Sequence, residues 1–156
     1  MATRKALDHD LVIVGAGLTG LSLACWLAEL AGRNGQTMPD VRLLEPRTAY
    51  SNDRTWCFWD RVDHPFRGQI THRWGHWQVS FGDRWAMQSD PETPYALLPA
   101  DRLYDHAREC IEACPAMSLE QGARVSSVRE KDGEVRVVTD AGELSTQAVV
   151  DTRLPA

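Results

Sequence analysis

Apolar residues run unbroken from Leu11 to Val14, the pattern of a strand buried on both faces of a parallel sheet. Gly15-Ala16-Gly17-Leu18-Thr19-Gly20 follows at once. Leu21, Ala24, Cys25 and Ala28 then recur at helical spacing, with Gly32 as the expected stop. A second strand is predicted over Val41–Leu44, ending at Glu45. In the middle of the chain Trp77, Val79 and Phe81 alternate with polar residues, Gly82-Asp83 marks a turn, and Trp85 and Met87 begin a return strand. Tyr95–Leu98 is another short apolar run. Asp101 is placed to cap a helix reaching about Cys114, with Leu103, Ala107, Cys110 and Ile111 on one side. In the closing third, Ala123–Val128 is expected to be the third parallel strand. Lys131-Asp132-Gly133 predicts a turn into a strand over Glu134–Thr139. Asp140-Ala141-Gly142 predicts a second turn into Glu143–Thr146, and Ala148–Asp151 a further buried strand.

A strand, then GxGxxG, then a helix is the context that lifts this motif above a chance match. Each glycine has a physical reason. Gly15 turns the chain sharply off the strand, Gly17 leaves room for a pyrophosphate to approach the backbone, and Gly20 lets the helix pack close. The helix N-terminus offers free N–H groups and the positive end of its dipole. Glu45, 25 residues after Gly20, stands a little beyond the usual distance of about 20 for an acid that accepts from ribose hydroxyls. The polar stretch Arg33–Asp40 accounts for the excess. An acid at this strand tip favours an unphosphorylated ribose, as in FAD or NAD, while Arg47 keeps NADP open as a minor option. The chain then leaves βα alternation for a polar loop and an Arg/Trp-rich segment, which favours FAD.

Composition narrows the picture further. The 156 residues carry 17 Lys plus Arg against 22 Asp plus Glu, a net charge of −5, which argues against non-specific nucleic-acid binding. The four cysteines, Cys25, Cys57, Cys110 and Cys114, contain no CxxC pair and fit reduced thiols in a cytoplasmic protein. His72 and His76 are separated by Arg73-Trp74-Gly75 and lack a third ligand, so no metal is expected. Leu11–Ala28 is free of charge and has Arg4 and Lys5 upstream. Asp8, Asp10 and the interrupting glycines argue against an export signal or a membrane span.

Asp53-Arg54-Thr55-Trp56-Cys57-Phe58-Trp59 is a far more specific block than the glycine motif. With residues 15–20, the Trp74–Phe81 strand, the Tyr95 run, the helix beyond Asp101 and the closing Val149-Val150-Asp151, it resembles the bacterial lycopene β-cyclases over essentially the whole chain. That resemblance implies an α/β fold: a Rossmann-like FAD-binding domain, parallel sheet plus β-meander, over 1–50 and 117–156. It also implies an inserted antiparallel β segment and helix over 51–116. Gly15, Ala16, Gly17, Leu18, Gly20 and Glu45 would hold the ADP half of FAD. Arg54 would reach a phosphate or the flavin side, or else form a loop salt bridge. Val125 would hold adenine through its backbone, and Asp151 would lie near the cofactor or simply cap its strand. Trp56, Phe58 and Trp59 would line a polyene tunnel or form plain core.

The activity so implied is ring closure at the linear ends of lycopene, a C40 carotenoid, giving β-ionone rings. It is a redox-neutral, acid-type isomerisation that needs reduced FAD, with NAD(P)H as electron source. The substrate implies peripheral membrane contact by a cytoplasmic protein. No catalytic residue is identified in this chain. The catalytic acid motif and a second flavin motif are expected beyond residue 156, so that the chain corresponds to the N-terminal part of a cyclase and is inactive alone. A fragment of a generic FAD- or NAD(P)-dependent oxidoreductase or monooxygenase, and a non-catalytic dinucleotide-binding module, are the alternative readings.

Overall fold

The computed structural model describes residues 7–131 and 133–153. Arg4 and Lys5, and Asp132 of the expected turn, lie outside them. The elements in chain order are β1 (His9–Val14), α1 (Leu18–Asn34), β2 (Val41–Glu45), β3 (Thr55–Trp59), a 3-10 turn (Arg67–Gln69), β4 (His72–Trp74), β5 (His76–Phe81), β6 (Arg84–Ser89) and β7 (Tyr95–Pro99). They continue with α2 (Ala100–Glu112), β8 (Met117–Gln121), β9 (Val125–Lys131), β10 (Glu134–Thr139) and β11 (Gly142–Asp151). Two compact units result. One takes in the described residues up to Ala49 and from Ala107 onward; the other is Tyr50–His106.

The first unit is a mixed sheet in the order β8-β2-β1-β11-β10-β9. Parallel pairing joins β8, β2, β1 and β11, and antiparallel pairing joins β11, β10 and β9. The apolar run of β1 sits at its centre, where Val12, Ile13 and Val14 are shut off from water. Val12 and Val14 pack with Leu44, Ala123, Val125 and Val137. Between β2 and β8, Arg42 donates to Ser118 Oγ at 3.1 Å and to Glu120 Oε2 at 2.6 Å, a side-chain tie across paired positions.

Four expectations are corrected here. The third parallel strand beside β2 is β8, not Ala123–Val128, which instead pairs antiparallel with β10. β9 is a largely exposed edge strand, as antiparallel pairing permits, whereas β8, at the other edge, is a short strand whose polar residues disguise it. Glu143–Thr146 and Ala148–Asp151 form one continuous strand, β11, because its first half pairs with β10 and its second half with β1. Helix α1 runs through Gly32 and stops at Gly35, whose left-handed backbone (φ 61°) closes it. Helix α2 ends at Glu112 rather than near Cys114.

In the second unit β3, β7 and β4 form an antiparallel sheet and β5–β6 a separate hairpin. Strand alternation divides the aromatic block. Trp56 and Phe58 are half-buried, Trp56 edge-on to Tyr104 and Phe58 edge-on to His64, while Trp59 projects the other way against Tyr95 and Trp77. The three do not share one surface, so they do not line a single tunnel. Asp60 is fully buried as a polar hub: Arg73 Nε donates to it at 3.0 Å, and His64 and Arg67 lie at 3.3 and 3.6 Å.

Leu43, fully buried on β2, gives a measurable anchor for the first unit. Leu43→Ala should lower unfolding stability by about 3 kcal/mol in urea titration, the range for a buried leucine deletion.

Candidate functional site

The site grows from the end of β1. Gly15 has φ +92°, a conformation that side chains rarely adopt, and its N–H donates to Leu44 O at 2.8 Å. A Cβ on Gly15 would meet Thr152 Oγ1 at 2.7 Å. That hydroxyl lies 3.0 Å from both Val14 O and Gly15 O, and Thr152 N donates to Val14 O at 2.9 Å. Thr152 thus holds the turn from below. At Gly20 a Cβ would run into the carbonyl of Gly15 and approach Ile13 Cγ2 at 3.2 Å. Only glycine allows α1 to lie this close to β1.

Gly17 is different. Its φ of −84° is ordinary, and nothing lies within 4 Å of where a Cβ would stand. It is the N-cap of α1, with no side-chain cap and no acid in the first turn. The first-turn N–H groups of a helix have no intrahelical acceptors, so this end suits an anion. Leu18 begins the helix beside it, partly exposed.

Glu45 is only 4 % exposed. Its Oε2 accepts from Ala16 N at 2.8 Å, and its Oε1 from Arg47 N at 3.0 Å and Arg47 Nε at 2.8 Å. Arg47 Nη2 spans Glu45 Oε2 and Ala16 O, each at 3.3 Å. Burial by itself would raise the carboxyl, but the hydrogen bonds from Arg47 and Ala16, with the charge of Arg47, together hold it below the usual glutamate range. Glu45 therefore ties the glycine loop to the tip of β2.

Across the sheet, Asp151 closes β11 and binds Arg153 in a fork, Nε to Oδ1 at 2.9 Å and Nη2 to Oδ2 at 2.7 Å. The Arg153 hydrogen bonds hold the Asp151 carboxyl below the usual aspartate range. Arg153 Nη1 also donates to Val125 O at 2.7 Å, so the Val125 carbonyl is engaged within the protein. Arg54 belongs to the second unit, where it is exposed and pairs with Asp53 at 2.7 Å. The structure thus brings Gly15, Ala16, Gly17, Leu18, Gly20 and Glu45 together, and joins Val125 to Asp151 through Arg153. Sequence reasoning missed Thr152 and Arg153. Both follow a strand whose register no local pattern reveals. The second unit has an open cleft of about 350 Å³ lined by Trp59, Arg61, Trp77 and Asp90. Among the described residues no helix is long and apolar enough to cross a membrane.

A mixed α/β sheet with a glycine turn at the central strand is the fold shared with solved flavoenzyme and oxidase structures. The chain resembles p-nitrophenol 4-monooxygenase PnpA from Pseudomonas putida DLL-E4 (TM-score 0.65, 17 % identity, 92 % of this chain and 40 % of that one). It also resembles NikD, an unusual amino acid oxidase essential for nikkomycin biosynthesis (0.63, 15 %, 94 % and 51 %). A third match is halogenase PltM in complex with phloroglucinol and FAD (0.61, 14 %, 94 % and 34 %). The chain therefore spans about a third to a half of the length of these proteins. A search of curated protein sequences returns no match. The sequence model of the family described as lycopene cyclase protein matches residues 10–156, and the chain belongs to that family.

Two measurements test the site's construction. Gly20→Ala should destabilise the protein by about 2–4 kcal/mol, as an overpacked backbone contact does, read from chemical denaturation. The folded Glu45 carboxyl titrates below the unfolded one, so its contribution is complete above the ordinary glutamate range and is lost as pH falls through the lowered folded value. Glu45→Gln should lower stability at neutral pH and flatten part of the acid decline in melting temperature.

Proposed function

We propose that this chain binds the ADP half of FAD, in a Rossmann-like manner, as part of a lycopene cyclase-like flavoenzyme. The observation that carries the reading is the uncapped N-terminus of α1, set on β1 by Gly15 and Gly20 and left open at Gly17. The family match supports a carotenoid-cyclase-like role; in this reading the reaction is a redox-neutral ring closure at the ends of a C40 polyene such as lycopene, an isomerisation. Held by the glycine loop and Glu45, a bound flavin would supply the reduced ring for that chemistry, with NAD(P)H as its electron source in this reading.

The chain's own residues have separate parts in this reading. The backbone at Gly17, Leu18 and Thr19 receives the pyrophosphate. Glu45 orders the loop through Ala16 and accepts from the ribose hydroxyls. Arg153 and Asp151 shape the β11 end of the site, and Val125 supports the adenine side. Peripheral contact with a bilayer, the source of a carotenoid, is part of the same proposal. Its support is the β5–β6 hairpin, which exposes Val79 and Phe81, the latter at 89 %, on one face and Trp85 and Met87 on the other.

Titration of the chain with FAD and with ADP, followed by flavin fluorescence and calorimetry, tests the cofactor. Saturable binding of both is expected. Gly17→Ala adds a methyl group where the protein has only open space, so its melting temperature should stay near wild type, with any loss within about 1 kcal/mol. Its affinity for FAD and ADP should nevertheless fall at least about tenfold, because the methyl group occupies the phosphate approach. Unchanged affinity in a well-folded Gly17→Ala protein would refute the assignment.

A further inference from the structure

The Arg47 guanidinium sits on Glu45 as a fork. Nε meets Oε1 at 2.8 Å and Nη2 meets Oε2 at 3.3 Å. A ribose cis-diol would approach the same carboxylate in the same two-point way, one hydroxyl to each oxygen. An ionised carboxylate has about four lone-pair positions. The backbone N–H groups of Ala16 and Arg47 take one on each oxygen, and the Arg47 side chain takes the other two. Glu45 is thus saturated by the protein's own donors.

From this we infer that Arg47 is an internal competitor for the ribose subsite, a latch whose side chain must leave Glu45 before the 2′- and 3′-hydroxyls can bind. The inference rests on the dinucleotide reading above. The two backbone N–H contacts do not compete in this way. They stay in place while the guanidinium is exchanged for the diol, so the carboxylate keeps its position and its charge. Arg47 is accessible enough to move, with its side chain 32 % exposed against 5 % for Glu45. Its fork to Glu45 is therefore partly screened by water, and exchange is feasible. In this role Arg47 is a specificity and positioning residue. It makes binding depend on ribose hydroxyls able to displace it, and it penalises nucleotides that lack them.

The test uses the 156-residue chain and two variants. Arg47→Met keeps an apolar stem and removes the fork, and Arg47→Lys keeps the charge without the fork. Affinities for ADP and for 2′-deoxy-ADP are measured by calorimetry for all three proteins. The latch predicts that Arg47→Met binds ADP about fivefold more tightly than wild type, the factor given by losing one partly exposed ion pair from the free state. The gain should shrink for 2′-deoxy-ADP, which cannot use both vacated positions, and Arg47→Lys should fall between. A role for Arg47 as a phosphate contact predicts the reverse: Arg47→Met weakens ADP and 2′-deoxy-ADP alike. A purely structural role predicts a lower melting temperature with no dependence on the 2′-hydroxyl. Either result overturns the latch and leaves the dinucleotide reading standing. Absence of ADP binding by all three proteins, each folded by circular dichroism, overturns both.

Discussion

The close approach of α1 to β1 at Gly20 governs the first unit. No side chain fits between Gly20 and the carbonyl of Gly15, so the helix axis and the strand are held at backbone contact. That contact brings the uncapped N–H groups of α1 to the C-terminal edge of the parallel strands. This is where open α/β sheets place ligands. Thr152 completes the arrangement from the next strand, with its hydroxyl against the carbonyls of Val14 and Gly15. The turn is thereby held by residues far apart in the chain, and its geometry depends on β11 lying parallel beside β1.

Glu45 shows how a buried carboxylate can be held ionised by the loop that it orders. Left alone at 4 % exposure it would favour the neutral form. Hydrogen bonds from two backbone N–H groups and an arginine fork offset that penalty and keep it ionised. The same bonds connect the glycine loop to β2, so the acid that suits a ribose also orders the loop that suits a pyrophosphate.

The second unit follows a different logic. Its aromatic residues are divided by the pleat of β3, one set packing inward and the other meeting solvent with Tyr95 and Trp77. Its buried charge, Asp60, is compensated by Arg73 and, at longer range, Arg67, with His64 Nε2 packed 3.3 Å away. Such a cluster is sensitive to loss of Arg73, which would leave the buried carboxylate short of its hydrogen-bonded countercharge.

Local signals in the sequence were sufficient for β1, the glycine turn, α1, β2 with its terminal acid, and the β5–β6 hairpin. Each is specified by neighbours within a few residues: an unbroken apolar run, a glycine that alone tolerates a backbone contact, or a two-residue period broken by Gly82. The candidate phosphate loop and Glu45 were legible for the same reason. The identity of the third parallel strand was not. β8 and β9 are both short and mixed, and which lies beside β2 depends on pairing energies between segments some 75 residues apart (Val41 with Met117). Nor could alternation reveal that β11 is one strand with two partners, since its halves answer to different neighbours. Thr152 beneath Gly15, Arg153 on Val125 and Arg47 on the Ala16 carbonyl are likewise consequences of register and approach. Sequence determined which residues can make those contacts; the tertiary structure alone decided which of them meet.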